Sequence, residues 1–279
     1  MWTRTVGTLW ITMFIPIAAP AQQQISQDRD LLEIDLAQWD CVDRLEGTAK
    51  TPDGLERNRL KNRSAVDLAG PSIPEFDTTG FLKHLADFDA ETKGKRRKEL
   101  TESQREKLTS MEKQVVSLTA YLVLAYAGPP ESANCASVDF HDWHLEMFDR
   151  PLNHSPTIGD PTPIVAEITP RTQNAIFRAG VRIQELAGFF RRPDLESEPA
   201  APKPQRVRVT GYLLWDDDHN GKADVGSAIE SIGNSKYHNP WRSTAWEIHP
   251  VIKIEPDDAA ASTSANAAEP GSETGAAAH

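Results

Sequence analysis

The chain has 279 residues, with 30 Lys and Arg against 41 Asp and Glu, for a formal net charge of −11. That length holds one or two domains and one sizeable core, and the acidity argues against bulk nucleic acid as the main partner, because neutralising phosphates takes a basic surface. With only 2 Cys it is neither a disulfide scaffold nor a Cys-rich zinc module.

Residues 1–21 read MWTRTVGTLWITMFIPIAAPA. They hold one charge, Arg4, before an apolar run over 6–18, and Ala19-Pro20-Ala21 has the small-x-small cleavage pattern. These are the three regions of a secretory signal peptide. The run is shorter than the roughly 20 residues a bilayer needs, and Gln22 rather than Cys follows the cut, which speaks against a lipoprotein. The expectation is a soluble mature protein, secreted or periplasmic, with no transmembrane span. In an oxidising compartment Cys41 and Cys135 can bridge. A bridge would close a loop of roughly 90 residues and add on the order of 4 kcal/mol; the alternative is two separate buried thiols.

Residues 22–112 read as a charged, largely helical segment. Leu32, Leu36 and Trp39 fall near one face of a helix over 28–39, and Phe81, Leu82, Leu85 and Phe88 mark a second over 79–88. Two cationic runs, GLERNRLKNR (54–63) and KGKRRK (93–98), are interleaved with Glu56, Glu91, Glu99 and Glu102. That mixture reads as solvated helix faces rather than a phosphate-binding patch.

From 113 the pattern changes to strands, over 115–126, 138–148, 163–169, 207–215 and 245–254. A helix lies between the third and fourth. Thr169 is its N-cap, Pro170 its first residue, and it runs near 173–190. Gly211 predicts a bulge or bend, and Pro250 an edge or bulge in the last strand. The order strand, strand, strand, helix, strand, strand predicts a mixed, mainly β fold: an OB-like five-stranded barrel over 113–255. Another small mixed barrel or an α+β sandwich is the alternative. Residues 256–279, rich in Ala, Ser, Gly and Glu, cannot bury enough apolar area to offset ordering and are expected to be disordered.

Strand alternation sorts the polar residues by face. Asp142, His144 and Glu146 share one face of the second strand, opposite Trp143, Leu145 and Met147. Glu167 lies on the third strand, and Glu247 and His249 share a face of the fifth. His144, His219 and His249, with Asp142 and Asp216, are the candidate metal ligands, since imidazole and carboxylate together suit zinc or another divalent transition ion. Glu167 and Glu247 are candidate bases for a metal-bound water. Glu146, Arg171 and Trp246 are candidate ligand-binding residues. The spacing matches no fixed metal signature, so the alternative is a set of strand faces with structural hydrogen bonds. Asp216-x-Asp218-x-Asn220-Gly221-x-x-Asp224 fits the first nine positions of a calcium loop, but Ser227 stands where a bidentate Glu is required. Tyr212, Trp215, Trp241 and Trp246 could form a stacking platform or core. No GxSxG, P-loop or dinucleotide fingerprint is present.

The blocks NCASVDFHDWHLEMF, PIVAEITPR, VRVTGYLLWDDDH and WRSTAWEIHPVIKIE resemble those of an uncharacterised family of exported bacterial proteins with DxHLE, VxExxP, VTG…DxxH and WEIHPV motifs. The segments ERNRLKNR and ESANC are also similar, so the resemblance covers most of 54–255. It implies a single exported module with hallmark residues Asp142, His144, Glu167, Asp216, His219, Glu247 and His249, and it implies no activity. Within WDDDH the block's Asp is Asp216 or a neighbour.

The sequence therefore predicts an exported binding module whose His/carboxylate cluster holds a divalent metal, zinc or calcium at 216–224, or a small polar ligand. The alternatives are a metal-dependent hydrolase of phosphodiesterase or nuclease type, and an envelope interaction module with no ligand site.

Overall fold

Five stretches rich in β-branched and aromatic residues form the long strands: β1 Val115–Ala127, β2 Trp143–Phe148, β3 Ile164–Ile168, β4 Arg206–Trp215 and β5 Trp246–Pro256. The computed structural model describes residues 30–64, 72–191, 198–233 and 237–257. The expected signal peptide and residues 258–279 of the expected tail lie outside these residues.

β1 pairs antiparallel with β2, β2 with β3, β5 with β4 and β4 with β1, while β3 and β5 run parallel. The ladder thus closes on itself as β1-β2-β3-β5-β4. This is a mainly β, OB-like closed five-stranded barrel, with helix α4 (Pro170–Arg178) between β3 and β4 as the sequence predicts. Three further helices precede it: α1 (Pro52–Lys61), α2 (Thr78–Thr92) and α3 (Glu102–Glu112). No helix among the described residues is long and apolar enough to cross a membrane.

Alternate residues fill the barrel. Trp143, Leu145 and Met147 of β2, Ile164, Ala166 and Ile168 of β3, and Trp246, Ile248 and Val251 of β5 belong to one apolar cluster. Helix α2, capped by Asp77 accepting from the Gly80 N–H, adds Phe81, Leu85 and Phe88 to the same cluster. Phe88 meets Trp215 and Trp246 edge-on, at 5.4 and 5.2 Å between ring centroids. Charged N-terminal segment and barrel therefore share one core, and Trp246 is part of it rather than a ligand contact. Trp215 lies there too, and Tyr212 carries the Arg63 guanidinium on its ring, so these aromatics form no stacking platform.

The ladder of β4 and β5 shifts register between Ile248 and Val251. Pro250 sits in that irregularity, opposite Gly211, where a Cβ would come within 2.4 Å of the Pro250 carbonyl oxygen. The bulge expected from these two residues is present.

Several local expectations are corrected. Among the described residues 30–39 of the helix expected over 28–39, only a 3-10 turn, Leu36–Gln38, forms. Upstream, Gln173 and Asn174 donate to the carbonyls of Leu32 and Ile34 and tie the chain to α4 in extended form. The helix over 173–190 is interrupted. It ends at Arg178, Gly180 turns at φ 87°, and α5 (Ile183–Leu186) is a separate turn. Strand β2 begins at Trp143 rather than 138.

The cationic runs are solvated only in part: Arg59, Lys93, Arg96 and Lys98 are exposed, but other basic residues of both runs turn inward. Arg97, in a 3-10 turn, is fully buried. It donates to both oxygens of Glu112, to Asp217 and to the Trp215 carbonyl. Arg57 and Lys61, four residues apart on α1, also turn inward. Cys41 and Cys135, 94 residues apart, are bridged with 5.9 Å between their Cα atoms, which decides between the two readings of the pair.

Candidate metal centre

The polar faces of β2, β3 and β5 meet on the side of the sheet opposite the apolar core. His144 stands directly across from Glu167, and Glu146 across from Val165, whose other neighbour is Glu247. Two residues further along β5, on the same face, is His249, beside Glu167. One rung of the sheet is thus His144–Glu167–His249, and the next is Glu146–Val165–Glu247. On an open barrel such a face would be solvated. Here Glu146, Glu247 and His249 have no exposed surface, because α1, the loop before β2 and the loop between β4 and β5 cover them.

The central carboxylate, Glu167, faces an imidazole on each side. Its Oε1 lies 3.4 Å from His144 Nδ1, and its Oε2 lies 3.0 Å from His249 Nδ1. His249 Nδ1 is also in hydrogen-bonding geometry with Glu247 Oε1, at 3.0 Å. Glu247 is fixed in turn by the Arg242 guanidinium at 2.9 Å. With the Nδ1 proton donated to Glu247, the lone pair of His249 Nε2 is directed to the side where Asp142 Oδ2 stands, 3.8 Å away. Such a carboxylate-backed imidazole is the arrangement that presents a metal-ligating nitrogen. On the other side, His144 Nε2 is 3.9 Å from Glu131 Oε1.

Two sets of potential ligand atoms result: Asp142, Glu167 and His249, and Glu131, His144 and Glu167. Within each set the atoms lie within 4.8 Å of one another. Both oxygens of Asp142, both ring nitrogens of His144, and His249 Nε2 are buried without a hydrogen-bond partner. Leaving buried polar atoms unpaired is costly, so these atoms around Glu167 could serve a polar ligand or an ion.

The electrostatics without an ion follow from burial and charge. Burial pushes the Asp142 carboxyl up to about 6, against the pull of His249. For Glu167 the burial penalty is outweighed by His144, Lys61 and His249, which hold it well below the usual range. Burial disfavours a charged His249, but Glu167 and Glu247 outweigh it and raise the ring to about 10. An entering cation would take over the role of that ring proton.

The remaining sequence candidates lie elsewhere. His219 does not join His144 and His249. It is more than a third exposed, 3.7 Å from Asp224, and separated from His144 by Trp241, against which both rings rest. Asp216 belongs to neither ligand set. Lys61 Nζ sits 3.0 Å from it, and its burial is offset by Lys61, His219, Arg242 and Arg57, which hold its carboxyl well below the usual range. The calcium-loop reading of 216–224 is corrected for the same reason. Asp217 pairs with Arg57 and Arg97, Asp218 with Arg57 and Arg96, and Asp224 accepts from the Trp241 indole. These acids are already neutralised or bonded. Arg171 instead donates to Asn62 and to the carbonyls of Cys41 and Val42, fastening the N-terminal segment. Glu146 stands 3.3 Å from His238 Nε2, and Arg191 donates toward His238 Nδ1.

Sequence reasoning missed Lys61, Glu131, Arg191, His238 and Arg242. The four-residue spacing of Arg57 and Lys61 was a visible helical signal. The others lie in loops with no periodicity to betray them. No family model, no curated protein and no solved structure matches the chain.

Proposed function

We propose that this is an exported, soluble binding protein whose buried His/carboxylate cluster holds a divalent transition-metal ion, zinc or a close relative. The observation that carries this reading is the set of unpaired buried donors, Asp142, His144 and His249, around Glu167. Mixed imidazole and carboxylate donors suit such an ion better than calcium, which prefers oxygens alone. Burial favours binding over turnover, because Asp142, Glu167 and His249 are at most 1% exposed and leave a substrate little approach. Export is supported by the leader-like residues 1–21 and by the Cys41–Cys135 bridge, a bond at home in an oxidising compartment. The resemblance of the motif blocks to exported bacterial proteins points the same way.

Elemental analysis of the purified full chain tests the reading, together with melting in zinc or manganese. Bound metal and a raised melting temperature are expected, with both lost in the Asp142→Asn, His249→Gln double variant. A chain with no metal and no shift overturns the proposal and leaves the interaction-module reading. Phosphodiester hydrolysis that requires the ion would promote the hydrolase instead.

A further inference from the structure

The geometry points to two metal ions rather than one, bridged by the carboxylate of Glu167; this rests on the metal-binding reading above. Glu167 belongs to both ligand sets, and its two oxygens face opposite ways. Oε2 lies against His249 and Oε1 against His144; Asp142 completes the first ligand set and Glu131 the second. A single ion cannot take a full donor set from both sides of one carboxylate. Two ions held about 3.5–4 Å apart by a bridging carboxylate can.

The two sides are equipped alike. Each supplies one imidazole and one further carboxylate: His249 with Asp142, and His144 with Glu131. On each side the ring nitrogen near the carboxylate, His249 Nε2 or His144 Nε2, is buried and without a partner. Charge argues in the same direction. Setting aside Glu146, which Arg191 answers, and Arg57, which Asp216 shares with Asp217 and Asp218, the face gathers five carboxylates, Glu131, Asp142, Glu167, Asp216 and Glu247, around two cations, Lys61 and Arg242. Lys61 answers Asp216 and Arg242 answers Glu247, leaving an excess of three negative charges. One divalent ion leaves that excess incompletely neutralised. A second over-neutralises it by a single charge, which fits the centre to take one anionic oxygen ligand such as inorganic phosphate. The half-buried Glu131, a quarter of whose side chain is exposed, is the side from which that ligand would arrive.

The deciding experiment is the stoichiometry of manganese bound by the full chain at equilibrium dialysis, read with electron paramagnetic resonance. Two ions per chain with an exchange-coupled signal are expected. Asp142→Asn and His144→Gln should each drop the count to one and abolish the coupling. Inorganic phosphate should perturb the coupled signal in the parent chain only. One ion per chain, lost in Asp142→Asn and kept in His144→Gln, overturns the pair while leaving the single-ion reading intact. Two uncoupled ions would also overturn it, since the bridge would be absent. No ion at all overturns both readings together. The parent chain's count decides the matter even if a variant fails to fold.

Discussion

Individual side chains carry an unusual share of the charge inward. Lys61 is the single ammonium between Asp216 at 3.0 Å and Glu131 at 3.2 Å, with Glu247 at 4.0 Å. Burial alone would lower it, yet these acids and Glu167 hold it well above its ordinary value. Removing one partner of a buried pair leaves the other uncompensated, at a cost of about 3–5 kcal/mol. Lys61→Met should lose that much in urea unfolding, and added zinc should restore part of it. Asp89 offers the opposite case. Burial pushes its carboxyl up to about 6, against the pull of the Thr244 hydroxyl, which donates to it, and of the Trp246 side chain. Its ordinary value is 3.8, so the unfolded chain releases the proton first. Stability from this group is complete below the ordinary value of 3.8 and is lost as pH rises through about 6, by on the order of 3 kcal/mol. The difference in unfolding free energy between the parent and Asp89→Asn, measured at pH 4 and pH 7, should shift in favour of the variant at the higher pH. None of these pairings was legible in the sequence. Lys61 and Asp216 lie on separate segments, and nothing local distinguishes a buried cation from a solvated one.

At the scale of elements the sequence was far more informative. All five barrel strands announce themselves by alternation or by β-branched runs, and their order with α4 predicts the topology. What failed was the N-terminal 3-10 turn, where side chains of α4 over 130 residues away capture the backbone, and the length of α4, where Gly180 wins over an apolar repeat that continues past it. The bulge at Pro250 was legible because its two markers, Gly211 and Pro250, have few other uses in a strand. Gly211→Ala would set a methyl group against the Pro250 carbonyl, and overpacking of this kind costs about 1–3 kcal/mol. Because His249 is next to the bulge, the same substitution should also weaken metal binding, read by titration against the parent chain.

For the molecule as a whole, the faces were readable and their meeting was not. Alternation put His144, Glu167, Glu247 and His249 on their strand faces correctly. His219, placed with them only because it follows the fourth strand, lies past Trp241 and away. Glu131 comes to the site in a loop held by the Cys41–Cys135 bridge, which spans 94 residues. By loop entropy the bridge contributes about 4 kcal/mol. A Cys41→Ser, Cys135→Ser variant should therefore melt lower, to the same point with or without reductant, while the parent chain should fall to that point only when reduced.

The centre draws its groups from position 61 to position 249, and the final strand supplies both His249 and the carboxylate that orients it. The cluster is therefore incomplete until β5, the last described strand, has docked. A cation held there as proposed would find its full set of ligands only after that strand is in place.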